Sequence, residues 1–162
     1  MLLAISFTNI LAQKLKYGYI DANKILMEMP EISAANKELD AYSAKTNSYI
    51  KEKNDEYTKK LTDFQNSEAS LTELIKQDKQ NELIKMANDL KTFQQNAQND
   101  FNKKKQELYQ SAIAKLKEAI SSVAKANGFR FIIDNSGGVL LYFEEGDNVE
   151  NLVRKQLGIP VK

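Results

Sequence analysis

The sequence of 162 residues contains no cysteine, histidine or tryptophan. Without cysteine there are no disulfide bonds, thiolate metal ligands or thiol nucleophiles. Without histidine, the commonest metal ligand and the usual proton acceptor near neutral pH are missing. Two carboxylates, Asp21 and Asp134, lie at the ends of predicted strands. Asp21 is explained as a helix cap and Asp134 as a turn residue, so neither requires a catalytic role. We therefore expect no enzyme activity, no cofactor and no metal site.

The sequence also lacks an excess of charge of one sign. Its 23 basic and 22 acidic residues leave a net charge of +1, and only Arg130 and Arg154 are arginines. Nucleic-acid-binding proteins usually carry a basic surface rich in arginine. A membrane-spanning helix needs about 20 consecutive apolar residues, which no part of the chain supplies. We expect neither nucleic-acid binding nor stable membrane insertion.

Residues 1–12 are uncharged and mostly apolar, and the polar, basic run from Gln13 to Lys16 follows them. An apolar run that ends in a small residue, here Ala12, resembles the end of a secretory signal peptide. The run is short and has no basic residue before it, so a disordered or buried N-terminal segment is the alternative. We expect export, with a mature chain that begins near Gln13.

Proline and glycine are scarce, and neither occurs between Glu31 and Asn127. A long segment without helix breakers that is rich in Lys, Glu, Gln, Leu and Ala predicts α-helix. Apolar or small residues recur there at about one helical turn, as expected for a helix with one buried face. In the second half these positions are Leu83, Met86, Leu90, Phe93, Ala97, Phe101, Leu108, Ala112, Leu116, Ile120 and Val123.

The middle of this segment predicts that the helix folds back on itself. Residues 66–70 are weaker helix formers, and Ser70 with Glu73 fits a capping box that would start a second helix. We expect a helical hairpin arm over residues 31–127, with its tip within 66–81. One continuous helix in a parallel coiled coil is the alternative.

Both ends of the chain predict a small β-rich body. Residues 16–21 and 129–134 are rich in aromatic and β-branched residues and read as strands. Residues 139–144 predict a further strand, joined to the second by a turn at 135–138. Asp147 and Glu150 are placed to start a short C-terminal helix.

These strands carry apolar residues on both faces, which one small body cannot cover. The chain is therefore expected to self-associate at the body. The fold class is α+β: a β-rich oligomerisation body of about three strands per chain (residues 13–30 and 128–162) that carries a long antiparallel α-helical hairpin. The residues expected at the contact between copies are Tyr19, Ile20, Phe131, Ile133, Leu141 and Tyr142.

The order of these segments resembles the Skp/OmpH family of periplasmic chaperones over nearly the whole mature chain. The specific matches lie at the two ends, in residues 19–21, 25–30, 120–129, 139–142 and 147–149. The resemblance implies a periplasmic homotrimer in which strands of three subunits form a central barrel. It also implies ATP-independent holding of unfolded outer-membrane proteins in a cavity between the helical arms.

Two other functions are compatible with the residue pattern. One is a prefoldin-like cytosolic chaperone subunit, whose strands would lie between its helices and which would have no export signal. The other is a structural coiled-coil protein of the cell envelope. No client-binding residue is assigned; the aromatic candidates on the arm are Tyr42, Tyr49, Tyr57, Phe64, Phe93, Phe101 and Tyr109.

Overall fold

The computed structural model describes residues 15–161, so the predicted signal segment at 1–12 lies outside the described residues. The described chain divides into two compact units. One, here called the sheet unit, comprises residues 15–28 and 113–161. The other, the helical unit, comprises Met29–Ala112. The domain boundaries that the sequence predicts at residues 30 and 127 stay predictions.

The sheet unit combines two short strands with helices. Its strands are rich in tyrosine, phenylalanine and isoleucine, which favour extended backbone. Its longest helical portion is the end of α3, which begins in the helical unit and stops at Asn127 before Gly128, a glycine with a φ of 69°. The elements are β1 (Lys16–Ile20), α1 (Ala22–Glu28), α3 (Glu73–Asn127), β2 (Phe129–Asp134) and α4 (Glu150–Leu157).

The two strands pair in parallel. Tyr17 lies opposite Phe131 and Tyr19 opposite Ile133, with an irregularity between Lys16 and Tyr17. Parallel neighbours need a long crossover connection, since a tight turn can join only antiparallel strands. The long helical segment between β1 and β2 is that connection.

The predicted β-hairpin is absent from the described residues, and the sheet has two strands where about three were expected. Residues 139–143 have no regular structure. The Leu140 N–H donates to Asn135 Oδ1 at 2.9 Å, and the chain then reaches the far edge of β1, where the Val149 N–H donates to Tyr19 O at 3.0 Å. The segment therefore leads away from β2 and does not run beside it as a hairpin strand would.

Local caps agree with the sequence at some helix ends and differ at others. Asp21 accepts a hydrogen bond from the Lys24 N–H at 2.9 Å, which confirms its predicted role at the start of α1. The predicted capping box at Ser70 is wrong, because the Ser70 hydroxyl donates backward to Ser67 O at 2.7 Å. At α4, Asn148 Oδ1 rather than Asp147 accepts the Glu150 N–H, at 2.8 Å.

The helical unit consists of α2 (Pro30–Ser67) and the part of α3 up to Ala112. Pro30 stands in the first turn of α2, where a missing N–H leaves no hydrogen bond unmade. A short 3₁₀ turn at Glu68–Ser70 separates the helices. Residues later in α2 contact residues earlier in α3, so the two helices run in opposite directions. The contacts join Asn36 to Tyr109, Glu38 to Lys104, Tyr49 to Phe93, and Lys60 to Glu82.

A buried ion pair links α1 to α4 within the sheet unit. The side chain of Arg154 is only 1% exposed and donates to both carboxylate oxygens of Glu28, at 2.6 and 3.1 Å. It also donates to Pro160 O at 3.2 Å. The hydrogen bonding to Glu28 raises the pKa of Arg154 above its ordinary value. Such a bidentate pair fixes the geometry of both side chains.

We predict that Glu28→Ala lowers the free energy of unfolding by about 3 kcal/mol, because it leaves a buried guanidinium without its carboxylate. Urea unfolding at one fixed protein concentration measures the change. Lys51→Ala is the control. It removes the ion pair Lys51–Asp55, whose side chains are 75% and 60% exposed, and should cost less than about 1 kcal/mol. Equal losses in the two variants would contradict a special role for Arg154.

Candidate functional site

One face of the small sheet is apolar and exposed. Because paired residues in parallel strands point to the same side, Tyr17, Tyr19, Phe131 and Ile133 share this face. The rings of Tyr17 and Phe131 lie parallel, 3° apart in orientation, with their centroids at 6.2 Å. The Tyr19 ring is covered by Phe143, whose centroid is 4.3 Å away. The result is a patch of aromatic and aliphatic groups, here called the sheet face.

The loop after β2 adds further exposed apolar side chains. Leu141 is fully exposed at 101% and Tyr142 is 81% exposed, while Phe131 is 57% exposed. Apolar side chains of this size are usually removed from water when a soluble protein folds or associates. This group therefore has the character of a surface that contacts another molecule.

The six residues predicted at the contact between copies fall into two sets. Phe131, Ile133, Leu141 and Tyr142 are exposed in the single chain. By contrast, Tyr19 is 8% and Ile20 only 1% exposed, so their side chains are already covered. Ile20 pairs with Asp134 and lies on the opposite face from Tyr19. The contact itself stays a prediction.

Sequence reasoning did not assign Tyr17 or Phe143 to this surface. Both are partly exposed, Tyr17 at 45% and Phe143 at 43%. The alternation of Tyr17 and Tyr19 around Gly18 was a usable signal, because residues two apart in a strand share a face. No local pattern predicts the packing of Phe143 on Tyr19, since these residues are distant in sequence.

The aromatic candidates of the arm have different environments. Phe64 is buried, and the Tyr109 hydroxyl donates to Asn36 Oδ1 at 2.5 Å. Tyr49 and Phe93 are 44% and 37% exposed and contact each other across the helices, with ring centroids 5.0 Å apart. This pair offers more aromatic surface to solvent than the buried Phe64 does.

The carboxylates considered for catalysis bind backbone amides. Asp134 Oδ1 accepts from the N–H groups of Ala22 at 3.2 Å and Ser136 at 3.0 Å. Burial acts to raise the pKa of Asp134, but these hydrogen bonds outweigh it and leave the pKa below its ordinary value. Within residues 15–161, no three acidic side chains come together in a way that could hold a metal ion. Asp134 thus has a structural role, because its carboxylate binds the end of β2 to the start of α1.

Comparison with known proteins agrees with this arrangement. The family model described as "Outer membrane protein (OmpH-like)" matches residues 16–157. The chain belongs to the OmpH-like family. The match includes both strands, both long helices and the C-terminal helix, so it extends over the sheet unit as well as the helical unit.

A solved structure from Caulobacter crescentus CB15, assigned as an outer membrane chaperone (OmpH-like), has a similar fold. The TM-score is 0.74 at 11% sequence identity, over 89% of this chain and 84% of the other. At that identity the likeness concerns the fold alone. No curated protein sequence matches this chain.

The order of elements separates this OmpH-like protein from a prefoldin-like subunit. In the prefoldin arrangement, the strands lie between the two helices. Here β1 precedes α2 and β2 follows α3, so the two strands flank the helical segment. The prefoldin-like alternative is therefore wrong.

We predict that Gly18→Ala destabilises the sheet unit. A Cβ at this position would lie 2.8 Å from Val149 Cγ1 and 3.2 Å from the ring of Phe129, so the neighbours would have to move. The expected loss is about 1–3 kcal/mol in the free energy of unfolding, as for other overpacked sites. Gly146→Ala is the control, because nothing lies within 4 Å of its added Cβ. A loss at Gly146 as large as that at Gly18 would contradict this account.

Proposed function

We propose that this OmpH-like protein is an ATP-independent periplasmic holding chaperone. It binds unfolded outer-membrane proteins between the helical arms of a homotrimer and keeps them from aggregating. The observation that carries the proposal is the pair of long helices with half-exposed aromatic side chains, in a chain that belongs to this family. The Caulobacter relative, assigned as an outer membrane chaperone, supports the same function.

The exposed apolar side chains of the sheet face support a trimer. An apolar surface that stays exposed would make the protein prone to aggregation, whereas contact with another copy would remove it from water. Within the described residues β2 pairs only with β1, so its other edge has no strand beside it. Free strand edges readily accept strands of other chains. The sheet face and the edge of β2 together provide what a barrel of strands from several subunits requires.

Holding a client without chemistry needs many weak contacts rather than one strong site. Half-exposed rings such as Tyr49 and Phe93 make contacts of this kind. On a trimer, three linked arms raise the effective concentration of these contacts around one client, so weak contacts add up to useful affinity. Nothing in this scheme needs nucleotide, and the sequence has no phosphate-binding loop.

Family membership and the predicted signal segment support a periplasmic location. Among the helices of residues 15–161, none combines the length and apolar character needed to cross a bilayer. A structural coiled-coil protein of the envelope remains the second reading. It would also use long helices, but it would not keep clients in solution.

We predict that native mass spectrometry of the full chain detects a trimer. When an unfolded outer-membrane β-barrel protein is diluted from urea without ATP, the trimer should take up one client chain. The same mixture should scatter less light than the client alone. A monomer, or an oligomer from which the client precipitates, would contradict the proposal and favour the structural protein.

We predict that Phe131→Asp weakens self-association at least about tenfold, equivalent to about 1.4 kcal/mol, because a carboxylate would replace an apolar ring in the contact. Native mass spectrometry over a dilution series measures the change. Leu74→Asp is the control, since Leu74 is 78% exposed and lies in the helical unit. It should leave the trimer intact. If both variants dissociate alike, the sheet face is not the contact.

A further inference from the structure

We propose that a cavity between α2 and α3 binds one neutral aromatic side chain of an unfolded polypeptide. The proposal rests on the holding function above and assigns one of its contact sites. The cavity lies entirely in the helical unit and has a volume of about 410 Å³. Its apolar walls are Tyr49, Met86, Leu90 and Phe93.

The size of the cavity suits an aromatic ring. An apolar protein cavity of about 150 Å³ already binds benzene. Tyr49 and Phe93, which line the cavity, are 44% and 37% exposed. A ring that enters would contact both of them and the flexible side chain of Met86, which adapts well to varied apolar partners.

The cavity exists because the two helices pack tightly only near the ends of the unit. On α2 the described residues between Leu39 and Phe64 include no buried side chain, and on α3 the same holds between Leu83 and Ala112. A second, smaller cavity of about 190 Å³ adjoins this region, lined in part by the polar Ser43, Thr46 and Gln94. Small and polar residues at these positions leave the middle of the interface incompletely filled.

The charges around the cavity cancel one another, which favours a neutral occupant. Three lysines and three acidic residues line it, and each lysine forms an ion pair with one of the acids. A charged side chain placed among them would lose hydration without gaining an unpaired opposite charge. The pairs are Lys53–Glu56 at 3.0 Å, Lys60–Glu82, and Lys85–Asp89 at 3.4 Å.

One of these pairs also joins the two helices beside the cavity. The hydrogen bond between Lys60 and Glu82 raises the pKa of the lysine and lowers that of the glutamate. Both groups are therefore charged at neutral pH. Lys60 and Glu82 also line a neighbouring pocket together with the buried side chains of Phe64 and Leu83.

An unfolded outer-membrane protein presents suitable groups. Transmembrane β-strands alternate apolar and polar residues and carry aromatic residues at both membrane interfaces. A single ring can enter the cavity while its polar neighbours in the chain stay in water. The occupant we infer is thus one phenylalanine, tyrosine or tryptophan side chain, with no fixed sequence around it.

Methyl NMR of the full chain labelled with [methyl-¹³C]methionine tests the site directly. The probe is N-acetyl-phenylalaninamide, which is neutral and carries one ring. We expect the Met86 signal to move and saturate, whereas the signal of Met27, which is 62% exposed and lies in α1, stays in place. N-acetyl-lysinamide should move neither. A Met86 signal that moves no more than that of Met27 would overturn the proposal.

Two variants on the same helix distinguish entry into the cavity from binding elsewhere on the surface. Leu90→Trp fills the cavity and should weaken probe binding at least about tenfold, because the ring loses its space. Ile84→Trp adds the same indole at a residue that is 60% exposed and does not line the cavity, and it should leave binding within about twofold. Equal affinity in the two variants would overturn the proposal.

Parallel aggregation assays separate this site from the chaperone function. If the wild-type chain keeps an unfolded β-barrel in solution but Met86 does not respond to the probe, the cavity is not a contact site and the chaperone function stands. If Met86 responds but the client precipitates, the proposed function fails while the cavity remains a binding site. If the wild-type chain keeps the client in solution and its Met86 signal responds to the probe, the Leu90→Trp variant should keep less client in solution than the Ile84→Trp variant.

Discussion

Parallel pairing of β1 with β2 is the constraint on which the arrangement of the chain depends. β1 ends at Ile20 and β2 begins at Phe129, so their hydrogen bonds close a very long loop. Closing a flexible loop of that length costs conformational entropy. Here the loop consists almost entirely of helix: α1, then α2 and α3, which run in opposite directions on either side of a short break near Glu68–Ser70. The chain therefore returns to its starting strand with few flexible residues to order.

The features that could be predicted from the sequence are those set by neighbouring residues. The absence of proline and glycine between Glu31 and Asn127 predicts long helices, and Asp21 predicts the N-terminal cap of α1. The strand predicted at 139–144 failed for a different reason. Its residues favour extended backbone, but a strand also needs a partner edge. The hydrogen bond from Val149 to Tyr19, which is distant in sequence, directs the chain to β1 and away from the edge of β2.

The interface between α2 and α3 also has a feature that the apolar periodicity of the sequence does not predict. Apolar or small residues recur regularly along α3, and this stripe correctly predicts which side of the helix is covered at Leu83 and Ala112. The stripe does not reveal how well the facing helix fills the space between them. That depends on Ser43 and Thr46, small polar residues across the interface from Gln94. How completely the interface between the two helices is filled thus depends on pairs of positions that no single helix specifies.

The two apolar surfaces of this protein have different requirements, and their chemistry differs accordingly. A face that copies of the chain bury permanently could be continuous and uncharged, because water would reach it only before assembly. The exposed side chains of Tyr17, Phe131 and Leu141 are compatible with the proposed contact between copies. A client site must instead stay open to solvent without attracting another arm. The proposed cavity meets both conditions, since paired charged side chains line it together with apolar ones. The ion pairs beside Met86 and Leu90 agree with the requirements of the proposed client site.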